Sequence, residues 1–143
     1  MLMFKEYKSI STEETEALGE RFAKSLRPGA VVALYGGLGA GKTAFVRGMA
    51  RGLGISCRVS SPTFTIVNEY KGERELAHFD MYRLSSADEL FDIGWEDYLA
   101  SGAVCAVEWS ENVEGAFWGN EIKVEIERLS ENERIIRIYE ADI

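Results

Sequence analysis

Two short stretches of this chain are apolar at almost every position. They are Ala30 to Tyr35 (Ala-Val-Val-Ala-Leu-Tyr) and Ala103 to Val107 (Ala-Val-Cys-Ala-Val). Unbroken apolarity over so few residues predicts strands buried on both faces, as in a parallel sheet. Other stretches alternate instead. Ile122 to Glu127 and Arg134 to Tyr139 alternate around Ser130-Glu131-Asn132-Glu133, which predicts a terminal antiparallel hairpin with one wet face. Phe64 to Tyr70 and Glu75 to Tyr82 are strand-like and split by Lys71-Gly72-Glu73, a second hairpin signal. Phe4 to Ile10 is mixed and fits a short first strand.

A different period marks the helices. Leu18, Phe22 and Leu26 recur every four residues behind Ser11-Thr12-Glu13-Glu14, an S-x-x-E capping box. This predicts an amphipathic helix over 12–26, ended by Arg27-Pro28-Gly29. A second helix begins at Thr43, with Phe45, Val46, Met49 and Leu53 on one side and Gly52 and Gly54 framing its end. Ser86-Ala87-Asp88-Glu89 is another capping box, opening a helical region toward Leu99 with a break near Gly94. Strands and helices so interleaved, over 143 residues without repeat or linker, predict one α/β domain spanning 1–143.

Between the first apolar run and the second helix stands Gly36-Gly37-Leu38-Gly39-Ala40-Gly41-Lys42-Thr43. It matches G-x-x-x-x-G-K-[ST], in the strand–loop–helix context that its mechanism needs. Glycines let backbone N–H groups converge on phosphate oxygens with no Cβ in the way. The loop feeds a helix N-terminus, whose N–H groups and dipole favour an anion. Lys42 then reaches the β- and γ-phosphates, and the Thr43 hydroxyl ligates magnesium. The segment predicts a nucleotide site.

Composition narrows the setting. At 46% hydrophobic and 28% charged, the balance is that of a water-soluble globular protein. No apolar run approaches the ~20 residues needed to span a membrane, and Met1 to Tyr7 lacks the apolar core of a secretory signal. Cys57 and Cys105 have no metal-type spacing and read as buried small hydrophobes of a reducing, cytoplasmic protein. The net charge of −8 argues against unaided binding of RNA or DNA.

A triphosphate site also needs an acid for its metal ion, at the end of a buried strand beside the loop. Glu108 stands there, directly after Val104 to Val107, where Asp is more usual; the plainer reading is a solvated strand end. Asp80, in His78-Phe79-Asp80-Met81-Tyr82-Arg83, shares a strand face with His78 and Tyr82. It either pairs with a neighbour such as Arg83 or faces the site and orients the attacking water. His78 reads as a satisfied strand histidine, and Trp95 and Trp109 as core or interface aromatics. Ser60 to Thr65, hinged by Pro62, is either a surface loop or a switch answering the γ-phosphate.

Taken together, the phosphate loop, Ser61-Pro62-Thr63-Phe64-Thr65, His78-Phe79-Asp80-Met81-Tyr82-Arg83 and Val107-Glu108-Trp109 resemble, in order and spacing, the TsaE (YjeE) family of small bacterial ATPases. Family members often carry Asp where Gly37 stands and a second Thr where Ala44 stands; neither side chain ligates phosphate. The resemblance implies a P-loop, three-layer α/β fold: a mixed sheet with a parallel core and antiparallel additions. It implies hydrolysis of ATP with Mg2+ on Thr43 and Glu108, catalytic roles for Lys42, Asp80 and Glu108, and a switch at Ser61, Pro62 and Thr63. Nucleotide contacts would come from Gly37, Leu38, Gly39, Ala40, Gly41, Lys42, Thr43 and Ala44. Thr12, at the start of the first helix, and Arg134 would join them near the adenine. The partners it implies are TsaB and TsaD, in forming threonylcarbamoyladenosine at position 37 of tRNAs that read ANN codons. The tRNA would be met only through that complex.

Two other classes share the loop. A small-molecule kinase would carry an arginine-rich lid, and no such cluster appears in the second half of the chain. A GTP-binding switch would carry N-K-x-D, which Asn68-Glu69-Tyr70-Lys71 is not.

Overall fold

A computed structural model describes residues 2–37, 39–60 and 66–141. The two apolar runs form the middle of a seven-stranded sheet: β2 (Val31–Tyr35) lies beside β5 (Val104–Glu108), in parallel. On the far side of β5, also parallel, runs β4 (Leu76–Asp80). β3 (Val67–Tyr70) pairs antiparallel to β4 and closes that edge. On the other side β2 takes β6 (Ile122–Arg128) in parallel. β6 then turns back into β7 (Arg134–Ala141), and β1 (Leu2–Ser9) adds antiparallel to β7. The order is therefore β1-β7-β6-β2-β5-β4-β3, a parallel centre with an antiparallel hairpin or strand on each flank.

Alternation along the central strands sorts their side chains into two cores. Val32 and Leu34 of β2 join Val104 and Ala106 of β5 on one face, beneath α1 (Thr12–Lys24) and α2 (Lys42–Gly52). Val31, Cys105 and Val107 point the other way. They meet Leu90 of α3 (Ala87–Asp92), Trp95 of α4 (Trp95–Ser101), and Val113 and Ala116 around two 3-10 turns. Each central strand is thus covered on both faces, which is why it is apolar throughout. The three-layer fold expected from the sequence is the one that forms.

Local signals held with adjustments. Ser11 caps α1 by accepting from the Glu14 N–H at 3.1 Å, while the Glu14 carboxylate reaches back to the Ile10 N–H. Ser86 sits at the N-cap of α3 without a side-chain cap; Ser85 bonds Glu89 instead. The helical region does break at Gly94, which adopts a left-handed φ of 96°. Cys105 is buried as expected, but Cys57 is exposed, a correction. Its neighbours Ser56 and Arg58 are exposed too, so no core forms there for a small apolar side chain to enter.

α1 and α2 pack unusually closely. A Cβ added to Gly48 of α2 would collide with the Glu16 carbonyl of α1. Above that contact Arg47 and Arg51 bind Glu16 at 3.2 and 3.1 Å, and Arg51 binds Glu20 at 3.0 Å. The pairing fixes the start of α1 beside the start of α2, and hence beside the phosphate loop.

Candidate active site

Parallel strands end at one edge of a sheet, and ligands of open α/β sheets bind outside that edge. Here β2 runs out into Gly36, β5 ends at Glu108 and β4 ends at Asp80. Asp80 and Glu108 are Cα partners in the register, so the two carboxylates emerge side by side. α2 starts against them. Its N-cap is Gly41, at a left-handed φ of 108°, and no side chain caps the helix. That leaves the first N–H groups of an eleven-residue helix directed at the cleft, the arrangement that holds phosphate.

Lys42 is nearly buried at 5% exposure. Its Nζ donates to the Gly36 carbonyl at 2.6 Å and lies 3.6 Å from the centroid of the Trp109 ring. Burial lowers its pKa, while Glu108, then Glu111 and Asp80, pull in the opposite direction. The Thr43 hydroxyl donates to Glu108 Oε2 at 3.2 Å. Glu108 is therefore no solvated strand end; it is 4% exposed and turned onto Thr43. Asp80 is only partly buried, and its Oδ1 accepts from the Tyr82 N–H at 3.0 Å across a tight turn.

One cleft of about 430 Å3 is lined by Thr12, Gly39, Ala40, Gly41, Lys42, Thr43, Ala44, Asp80 and Glu108. Gly37 belongs to the same loop but does not line it. Arg134 approaches from β7, where its Nε donates to the Ala40 carbonyl at 2.8 Å and Nη2 to the Gly39 carbonyl at 3.3 Å. Its remaining donors go to the Ser130, Glu131 and Glu133 carbonyls. Geometrically it braces the loop from outside. Leu38, and the switch candidates Ser61, Pro62 and Thr63, lie outside the described residues.

Three lining residues escaped the sequence reading: Arg47, Tyr82 and Trp109. Trp109 is the clearest of the three: it packs against the second core, as an aromatic there should, and it also lines the cleft. Among the described residues it is the only non-glycine with positive φ, at 58°. Such a backbone costs energy and persists where surroundings impose it, often at functional sites. The surroundings here are Lys42 beneath its ring and Tyr82 against it, with centroids 5.0 Å apart. Ser110 and Asn112 tie the following turn to the Val107 and Met81 carbonyls at 2.8 and 2.9 Å. In the sequence Tyr82 lies two residues after Asp80 and Trp109 directly after Glu108; only folding brings Trp109 over Lys42.

The donor set suits magnesium. Thr43, Glu108 and Asp80 offer oxygen alone, and the described residues hold no cluster of three or more histidine, cysteine and acidic ligands. Magnesium is usually held by one or two carboxylates with phosphate oxygens and water, and not by an all-protein cage.

Comparison with known proteins agrees with this geometry. The sequence profile described as "Threonylcarbamoyl adenosine biosynthesis protein TsaE" matches residues 9–136. The chain belongs to the TsaE family. It is 41% identical over 131 residues to the tRNA threonylcarbamoyladenosine biosynthesis protein TsaE of Bacillus subtilis, covering 91% of this chain and 82% of that one. To the TsaE of Aquifex aeolicus it is 39% identical over 142 residues, covering 97% of this chain and 98% of the relative. A crystal structure of Bacillus subtilis YdiB superposes with a TM-score of 0.85 at 34% identity, covering 99% of this chain and 88% of that one. Among the described residues, no helix is long and apolar enough to cross a membrane.

Proposed function

We propose that this TsaE-family chain binds ATP with Mg2+ in the cleft and hydrolyses it. Through that activity it supports formation of threonylcarbamoyladenosine at position 37 of tRNAs reading ANN codons. The observation that carries the reading is the convergence of Lys42, Thr43, Glu108 and Asp80 on the uncapped N-terminus of α2. Lys42 and the α2 N–H groups bind and orient the β- and γ-phosphates. Thr43 and Glu108 hold the metal, which would neutralise charge building on the phosphate oxygens. Asp80, at the wetter end of the acid pair, orients the attacking water. Thr12 faces the adenine end, and Arg134 keeps the Gly39–Ala40 turn in shape.

TsaB and TsaD are the partners this reading assigns, and tRNA is met through them; the −8 charge fits a chain that does not grip tRNA unaided. A kinase reading finds no support in the cleft. Among its described lining residues the cations are Lys42 and Arg47, and Arg47 is tied to Glu16, so the described lining carries no arginine cluster.

The test is nucleoside analysis by mass spectrometry of tRNA from cells depleted of this protein. Threonylcarbamoyladenosine should fall, and return with the wild-type chain but not with Lys42→Ala. Undiminished modification would overturn the tRNA assignment, leaving phosphate release by the purified protein to test the ATPase claim separately.

A further inference from the structure

His78 is the chain's one histidine, and it does not line the cleft. It stands in the middle of β4 with no exposure to solvent. Its Nε2 lies 2.5 Å from Glu108 Oε2. That oxygen is the one that also accepts the Thr43 hydroxyl. A carboxylate can only accept, so Nε2 carries the proton and donates it. The other ring nitrogen, Nδ1, is buried with no hydrogen-bond partner among the described residues. An unmatched buried acceptor is a cost to folding, and an apolar ring would fill the same space without it. The position makes sense through what Nε2 does.

We propose that His78 is a positioning residue that pins the Glu108 carboxylate against Thr43, so that the two oxygens are set to receive the metal before nucleotide arrives. The inference rests on the reading of Glu108 as a metal ligand. Two features of the site call for such a pin. Glutamate is one methylene longer than the aspartate usual at such a strand end, so its carboxylate has more places to go. The strongest competing place is the Lys42 ammonium, which attracts Glu108 across the site. A Glu108–Lys42 pair would withdraw the acid from the metal and the cation from the phosphates together. His78, bonded within the sheet to the same oxygen that accepts from Thr43, holds Glu108 on the Thr43 side. Outer partners that orient a metal ligand act in this way, and their loss typically costs about 10- to 100-fold in metal affinity or activity.

A single histidine makes the test direct. Long-range 1H–15N spectra of the nitrogen-labelled protein should show one imidazole, protonated at Nε2, with that proton far downfield. Glu108→Gln should move the proton signal upfield, and magnesium with a non-hydrolysable ATP analogue should perturb it. In His78→Phe, the magnesium needed for half-maximal binding of a fluorescent ATP analogue should rise about 10- to 100-fold. Binding of the analogue without magnesium should stay close to wild type. His78→Gln, whose amide nitrogen can stand where Nε2 stood, should restore most of the magnesium response. A folded His78→Phe with the wild-type magnesium requirement, or an imidazole protonated at Nδ1, would overturn the proposal. Should His78→Phe not fold, the imidazole spectrum and the glutamine variant decide it alone. If Glu108→Gln keeps the wild-type magnesium requirement, the metal reading itself is wrong and the pin falls with it; failure in His78→Phe alone leaves that reading intact.

Discussion

Asp80 and Glu108 are register partners on adjacent parallel strands, yet their carboxylates are held in different ways. Glu108 is buried and shared between Thr43 and His78. Asp80 is partly exposed and accepts a backbone N–H from its own turn. In the proposed reading these two environments divide the work, with the buried carboxylate toward the ion and the wetter one toward the water.

That division predicts different phenotypes. Glu108→Gln is nearly isosteric and should keep the fold while raising the magnesium required for hydrolysis. Asp80→Asn should leave the magnesium requirement near wild type and lower turnover, by an amount on the order of the 10²–10⁴-fold that a positioned acid or base contributes. Rates titrated against magnesium for both variants check this. Identical curves would merge the two roles.

Lys42 carries a pH prediction. Its pKa in the free protein is lowered by burial. Bound phosphates favour the charged ammonium and raise it again, so ATP binding takes up protons in the window between the two values. Affinity is full below the free-protein pKa and declines as pH rises through it. In folding the sign is the reverse of that of an ion-paired lysine: the buried charge is a cost, relieved as pH climbs through the lowered pKa toward 10.5. Calorimetry in buffers of different ionisation enthalpy reads the uptake. Lys42→Ala should abolish it and weaken nucleotide binding by ~1.5–3 kcal/mol, the range for hydrogen bonds to charged groups.

Gly48 is a packing prediction with no chemistry in it. Alanine there is a better helix former, worth up to ~1 kcal/mol in an open helix. Here its methyl would meet the Glu16 backbone, which cannot step aside as a flexible side chain would. Gly48→Ala should therefore destabilise the protein by ~1–3 kcal/mol through overpacking. It should also weaken ATP binding, because α1 carries Thr12 into the cleft. A melting curve at or above that of the wild type would contradict the close contact.

How much of this was readable beforehand depended on distance along the chain. The phosphate loop was legible because its eight residues do their work next to one another. The central strands were legible because burial on both faces leaves no polar position, as in Val104 to Val107. Contacts made by folding were not. Trp109 looks like any aromatic beside a strand end until its left-handed backbone and Lys42 are brought together. Arg47 reads as the polar side of a helix, and its place in the cleft follows from where α1 crosses α2. His78 read as a satisfied strand residue, and half of that holds: one nitrogen is bonded, and the other has no partner among the described residues. Nothing local in the sequence marks its partner thirty residues away.

The last prediction concerns what the isolated chain lacks. Phosphoryl transfer depends on positioning and on neutralising charge over the γ-oxygens, and an arginine aimed there can be worth ~10³–10⁵ in rate. The described cleft offers Lys42, bonded to Gly36, and Arg47, held by Glu16 at 3.2 Å. Arg83, the arginine nearest Asp80 in sequence, is exposed and does not line the cleft. Hydrolysis by the protein alone should therefore be slow. A docked partner can supply the missing cation or release Arg47 from Glu16, and either route raises the rate. Steady-state rates should be compared for the chain alone, with tRNA, and with TsaB and TsaD. Marked stimulation by the partners and little by tRNA is the expected result. Glu16→Gln distinguishes the two routes: it should raise the unstimulated rate only if Arg47 is the cation held in reserve. Strong stimulation by naked tRNA, or none by the partner subunits, would refute the dependence on a docked complex.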